Sequence, residues 1–210
     1  MEEDPEIMEK SPCGRWHRTD QQKNTSESPI KARAHAQDVF LGMDMEEGLE
    51  VLWCEIKCRT IHERALIKRY LTKFSSIDNK HLIKVLAFWS TGEEKKVVVI
   101  TESGTYTPMK FFLETVQDWR RKKGKRERRP LTKIIEWCRQ IVSAMKSVHK
   151  HGLYHKNIST KNIFIQNDGT LKIGLPLLTQ STIAKDEEKA MKIRQLDLDS
   201  IPKCSREMSV

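Results

Sequence analysis

The sequence predicts an α+β chain: a small antiparallel sheet with one helix against it, then a longer helix, a loop and a short β-hairpin. Three observations predict it. Two pairs of β-rich runs flank one helically spaced segment within residues 39–101. Residues 130–150 carry a broad apolar stripe at helical spacing. Asn167-Asp168-Gly169 separates two short strand-like triplets, Ile163-Phe164-Ile165 and Leu171-Lys172-Ile173.

The elements follow in order. Residues 39–43 and 49–56 flank an acidic, glycine-ended turn at residues 44–48, which makes a hairpin. In residues 61–74, Ile61, Ala65, Leu66, Tyr70, Leu71 and Phe74 recur with helical spacing. Residues 82–89 and 96–101 are β-rich on either side of the turn 90–94. Residues 108–119 predict a short helix. The next one is the strongest in the chain, with Leu131, Ile134, Ile135, Trp137, Cys138, Ile141, Val142, Met145 and Val148 on its broad stripe. Pro130 stands where its missing N–H is no loss, and Gly152 lies just past the end.

Composition limits what this chain can be. Of 210 residues, 38% are hydrophobic and 32% charged, which fits one globular region with solvated ends. No apolar run reaches the roughly 18 residues of a membrane span, and the acidic start Met1-Glu2-Glu3-Asp4 is no signal peptide. The net charge of +9 is local: residues 120–129, RRKKGKRERR, hold eight bases and one acid, leaving +2 on the other 200. A nucleic-acid-binding domain spreads its bases over a face and interleaves aromatics, whereas only Trp119 stands at the edge of this run. Nucleic acid is therefore not the expected partner. The run reads as a solvated loop, with a nuclear-localisation signal or an acidic-partner site as the functional alternatives. Cys13, Cys54, Cys58, Cys138 and Cys204 form no CxxC and no zinc spacing, which fits a reducing compartment and no metal site.

The ends look different from the middle. Residues 1–37 lack apolar periodicity and read as a mostly disordered leader, interrupted by Ser11-Pro12-Cys13-Gly14-Arg15-Trp16, whose isolated tryptophan is a docking anchor. Residues 179–210 read as a charged, mostly disordered tail with no compelling core.

Within this frame, His155-Lys156-Asn157-Ile158-Ser159-Thr160-Lys161-Asn162 resembles the protein-kinase catalytic loop H-R-D-L-x-x-x-N. Val148-His149-Lys150-His151-Gly152 is similar to the L-H-x-x-G before it, and Lys172-Ile173-Gly174 sits where kinases place the strand before D-F-G. Glu50-Val51-Leu52-Trp53-Cys54-Glu55-Ile56 looks like the strand carrying V-A-I-K, and His81-Leu82-Ile83-Lys84-Val85 like the H-P-N-I-V after helix αC. Five landmarks in order imply a protein-kinase-like fold: an N-lobe over residues 38–103 and a partial C-lobe over residues 104–178. The strand Val51-Leu52-Trp53-Cys54-Glu55 is similar to that of the WNK (with-no-lysine) kinases. The SPCGRW leader and residues 40–51 resemble the nuclear receptor-binding protein family, a WNK-related pseudokinase branch. The chain reads as a truncated form of it.

The resemblance places the phosphate-handling positions on unsuitable residues. Phosphoryl transfer is positioning plus neutralisation of phosphate charge. The strand lysine is matched by neutral Cys54, the catalytic aspartate by Asn157, and D-F-G by Leu175-Pro176-Leu177, so a magnesium ligand becomes an alkyl group. Leu52 stands where a small alanine covers adenine and should narrow the pocket. Counting back from His81 puts Thr72 near the αC glutamate. The segment 30–38 has no glycine to let backbone amides approach phosphates. Asn162 alone survives as a metal-side remnant. No catalytic residue, cofactor or metal is expected. The alternative is a WNK-like nucleotide-binding protein with residual Ser/Thr kinase activity, its lysine relocated to Lys31 or Arg33.

The resemblance implies a non-catalytic adaptor in the cytoplasm, or at the nucleus or endomembranes, with roles in signalling and endoplasmic-reticulum-to-Golgi transport. Small GTPases and transcription regulators are the implied partners. No A-P-E follows residue 178 and no apolar helix replaces the one that centres a kinase C-lobe, so the stripe of the long helix is expected to be partly exposed.

Overall fold

The computed structural model describes residues 6–22, 37–91, 96–104, 106–124, 129–176 and 187–209. Nine strands and four helices are assigned among them: β1 (Ile7–Lys10), β2 (Trp16–Gln22), β3 (Gln37–Asp44), β4 (Leu49–Lys57), α1 (Ile61–Ser75), β5 (Val85–Ser90), β6 (Lys96–Glu102), β7 (Thr107–Pro108), α2 (Met109–Lys122), α3 (Leu131–Lys150), β8 (Ile163–Ile165), β9 (Leu171–Ile173) and α4 (Glu187–Met208).

Local chemistry explains the best-defined junctions. The β3–β4 turn is tied by Asp44, whose Oδ1 accepts the Glu46 amide at 3.1 Å, and Gly48 takes the left-handed φ of +65° that closes it. Helix α1 starts on a reciprocal cap. Thr60 Oγ1 accepts the Glu63 amide at 3.1 Å while Glu63 reaches back to the Arg59 amide at 2.6 Å.

The larger sheet has the order β1-β2-β3-β4-β6-β5, and its paired neighbours are antiparallel. Alternation along β4 sends Leu52, Cys54 and Ile56 to one face and Val51 and Trp53 to the other. The first face packs on Ile67, Tyr70, Leu71 and Phe74 of α1, in a cluster that continues into α3, β8 and β9. The second face is also covered: Trp16, Val51, Trp53, Val98 and Ile100 form their own buried cluster, with Trp53 and Trp89 edge to face at 5.0 Å. Glu9 of β1 meets Lys96 of β6 at 3.6 Å, although four strand spacings would separate β1 and β6 by about 19 Å in a flat sheet. The sheet therefore curls until its first strand lies over its outer face.

The sheet is joined to the helical part by backbone. Ile83 N–H donates to the Ile173 carbonyl at 2.9 Å and Ile173 N–H to the His81 carbonyl at 2.8 Å. Lys172 pairs with Glu102 at 2.7 Å across the same seam, and Tyr70 Oη donates to the Tyr154 carbonyl at 3.3 Å.

Three expectations change. Residues 7–10 and 16–22, read as a disordered leader, are strands β1 and β2, because Trp16 needs the outer sheet face that isolated sequence does not reveal. The supposed tail holds a 22-residue helix, α4, whose Cys204 and Met208 join the main cluster beside α3. That cover leaves the α3 stripe only partly open, with Leu131 69% and Val142 48% exposed. Thr72 faces solvent, its hydroxyl bonded to the Lys68 carbonyl at 2.9 Å, so the residue counted near the αC glutamate lies on the wrong side of α1. Lys31, Arg33, Leu177 and residues 125–128 lie outside the described residues.

Candidate functional site

The candidate site is where the inner face of β4 meets the loop 151–162 and the end of β9. Cys54 stands opposite Val39 on β3 and Val99 on β6 and has no exposed surface. Burial pushes its thiol well above the usual range, with the Glu55 charge acting in the same direction, so it stays neutral. Leu52, opposite Leu41 and Thr101, is buried two residues away on the same face. Leu175 belongs to the same continuous apolar cluster as both.

Asn162 ties the other two positions together. Its fully buried amide nitrogen donates to the Asn157 carbonyl at 3.1 Å and to the Leu175 carbonyl at 3.0 Å. Its own carbonyl accepts the Gly174 amide at 2.9 Å, while the side-chain Oδ1 is buried without a partner. The structure thus brings Asn157, Asn162 and Leu175 to one point, with Asn162 acting as a backbone clasp.

The loop is organised by a residue that sequence reading missed. Asp197 of α4 is buried, and its Oδ2 accepts the His155 amide at 2.8 Å and the His149 ring at 2.9 Å, while Oδ1 accepts the Lys156 amide at 2.6 Å. Burial alone would raise this carboxyl; the His149 hydrogen bond and the two loop amides outweigh it and hold it below the usual carboxylate range. His155 donates from Nε2 to the Gly174 carbonyl at 2.8 Å and accepts the Asn157 amide at Nδ1, 3.3 Å away. Burial depresses its pKa, so the ring is a neutral brace. The signal for α4 was present in the spacing of Asp197, Ile201, Cys204 and Met208, but a buried aspartate in mid-helix and Pro202 beyond it disguise the stripe.

Among the described residues no group of three His, Cys, Asp or Glu side chains is placed to hold a metal ion, and no helix is long and apolar enough to cross a membrane.

Comparison with known proteins agrees with this architecture. The family model described as protein tyrosine and serine/threonine kinase matches residues 38–203. The chain is 31% identical over 182 residues to the nuclear receptor-binding protein homolog of Drosophila melanogaster, covering 82% of this chain and 27% of that protein. It is 32% identical over 180 residues to nuclear receptor-binding protein 2 of Mus musculus, covering 80% and 33%. The serine/threonine-protein kinase Wnk of Drosophila melanogaster is 25% identical over 181 residues, covering 82% and 7%. The chain thus spans between 27% and 33% of the length of these nuclear receptor-binding relatives. Among solved structures, the Neurospora crassa PAN3 pseudokinase superposes with a TM-score of 0.68 at 9% identity, covering 90% of this chain and 48% of that one. A family model spanning most of the chain, on a curled sheet joined by backbone to a helical lobe, places the protein in the tyrosine and serine/threonine kinase family, with higher identity to nuclear receptor-binding proteins than to a WNK kinase.

Proposed function

We propose that the chain is a catalytically inactive, kinase-like scaffold that binds protein partners. The observation that carries this reading is the chemistry of its phosphate-handling positions. On the kinase resemblance they are a buried neutral thiol at Cys54, an amide at Asn157 and an alkyl chain at Leu175. A magnesium triphosphate needs an ammonium and carboxylates at those places, and these residues do not fit it. The Asn162 amide nitrogen is spent on two backbone carbonyls, which leaves its Oδ1 as the one remaining oxygen there, and Leu52 crowds the inner face beside Cys54. The framework around them is kept, with the loop braced by Asp197 and His155.

The names of similar proteins support the same direction: they include nuclear receptor-binding proteins and a pseudokinase. By that likeness the scaffold serves intracellular signalling and endoplasmic-reticulum-to-Golgi transport, with small GTPases and transcription regulators as partner classes. Nucleotide-dependent melting of the purified chain tests the central claim. Millimolar ATP with Mg²⁺ leaves the melting temperature unchanged. A concentration-dependent rise, following RT ln(1 + [L]/Kd) in stability, overturns it.

A further inference from the structure

Between α2, the first turns of α3 and the β8–β9 turn lies a groove of about 550 Å³. Its wall is apolar: Phe112 and Trp137 meet edge to face at 6.3 Å, and Ile165 lines it beside them. Its lining is basic. Arg120, Arg129 and Lys133 line it and, among the described residues, no carboxylate does, although Asp168 in the β8–β9 turn lies near Lys133.

Arg129 is the unusual member. It closes the basic run, yet only 9% of it is exposed. Its guanidinium lies 5.4 Å from the Phe112 ring centre and 5.7 Å from that of Trp137, and Nη1 donates to the Met208 carbonyl at the end of α4, 3.0 Å away. Nη2 is buried and has no acceptor. A buried donor left unpaired is disfavoured, and in a charged group more so. Burial and the nearby Arg120 both depress the Arg129 pKa, which marks a cation without a counter-charge. Lys133 stands 5.8 Å from the Trp137 ring centre and shares its charge with Glu136 at 2.9 Å, on the outer side of α3. The aromatic rings thus hold a planar cation rigidly, with one donor arm to spare.

We infer that this groove is an oxyanion site that takes the phosphate monoester of a phosphorylated partner peptide, with Arg129 as the fixed donor and Arg120 and Lys133 flanking it. The inference rests on reading the chain as a protein-binding scaffold. A phosphate monoester carries about −1.5 to −2 charge at pH 7 and three strong acceptors, which answers several converging bases better than one carboxylate does. Guanidinium is the side chain that binds it directionally. Phe112 and Val116, the partly exposed apolar residues of the lining, suit a hydrophobic residue beside the phosphorylated one. Nucleic acid is the poorer match, because Trp137 is buried and offers no open ring face to a base.

The test uses the full chain and a fluorescein-labelled decapeptide carrying one phosphoserine between leucines. Anisotropy is expected to saturate, and removal of the phosphate to weaken binding at least ~10-fold. Lys133→Glu, at a half-exposed site, weakens it at least ~10-fold, while loss of the Glu136 pair lowers the melting temperature only slightly and the chain stays folded. Arg129→Lys keeps the charge but loses the forked donor and weakens it comparably. On titration with the phosphopeptide, the Arg129 Nε–Hε NMR signal moves. No saturation at ~1 mM peptide, a Kd in the weak-binding range, overturns the inference. So does equal affinity for the unphosphorylated peptide, for inorganic phosphate alone or for a single-stranded oligonucleotide, or indifference to Lys133→Glu. None of these outcomes bears on nucleotide-dependent melting, so the scaffold reading and the groove fail separately.

Discussion

Asp197, near the middle of α4, accepts the backbone amide of Lys156 at 2.6 Å, and Lys156 is held at a φ of +57°. A lysine rarely adopts the left-handed region, so the carboxylate holds a turn the chain would otherwise abandon. Asp197→Ala leaves two loop amides and the His149 ring without their acceptor. The expected loss is about 3 kcal/mol or more, since each buried donor left without an acceptor costs about 1–3 kcal/mol. Asp197→Asn, which keeps an acceptor, loses less. Urea unfolding of the two variants checks this, and equal stability of Asp197→Ala and wild type refutes the clamp.

His155 sets a pH dependence. Its folded pKa lies below the ordinary value of 6.5 because the ring is buried. Between those two values the unfolded chain binds a proton that the folded chain refuses, so stability falls as pH drops. The contribution is fully present above pH 6.5 and is lost as pH falls through the folded value. Melting temperature should therefore decline from pH 7.5 to 5.5, with a shallower decline in His155→Gln. Asp197 adds a second loss only below its ordinary 3.8, as its carboxyl protonates.

The thiols are predicted to separate by reactivity. Cys13 is exposed, and its hydrogen bonds with Ser11 and the Arg15 backbone lower its pKa. Cys54 is fully buried and its thiol is pushed up. Iodoacetamide under native conditions labels Cys13 first and leaves Cys54 untouched, whereas in urea both react. Mass spectrometry of the labelled peptides reads the order. Native labelling of Cys54 at a rate like that of Cys13 means the inner face of β4 is open.

A buried and an exposed tryptophan give a matched pair. Trp16 is 5% exposed in the outer sheet cluster, and Trp119 is 52% exposed at the end of α2. Trp16→Ala is expected to cost about 3–5 kcal/mol, and Trp119→Ala within about 0.5 kcal/mol of nothing. Denaturant midpoints compare them directly. A Trp16→Ala protein as stable as wild type would show that β1 and β2 are incidental to the sheet.

Much of the fold was legible in local pattern. The β3–β4 hairpin declares itself by its acidic turn ending in Gly48, and α3 by an apolar stripe bracketed by Pro130 and Gly152. Cys54, Asn157 and Leu175 are singled out by the resemblance of their strand and loop to kinase motifs, and a motif resemblance survives in a linear string.

What tertiary structure decided is everything that depends on a partner far along the chain. Trp16 in a polar leader has no meaning until the outer face of β4 and β6 is built for it. Asp197 looks like one more surface acid until 42 residues of separation close and the amide of His155 points at it. Arg129 reads as one base in a solvated run, and becomes a buried clamp only when Met208 and the rings of Phe112 and Trp137 converge. Periodicity reports which residues share a face, but burial of a charge is favourable only where distant groups supply its hydrogen bonds, and those groups are set by packing.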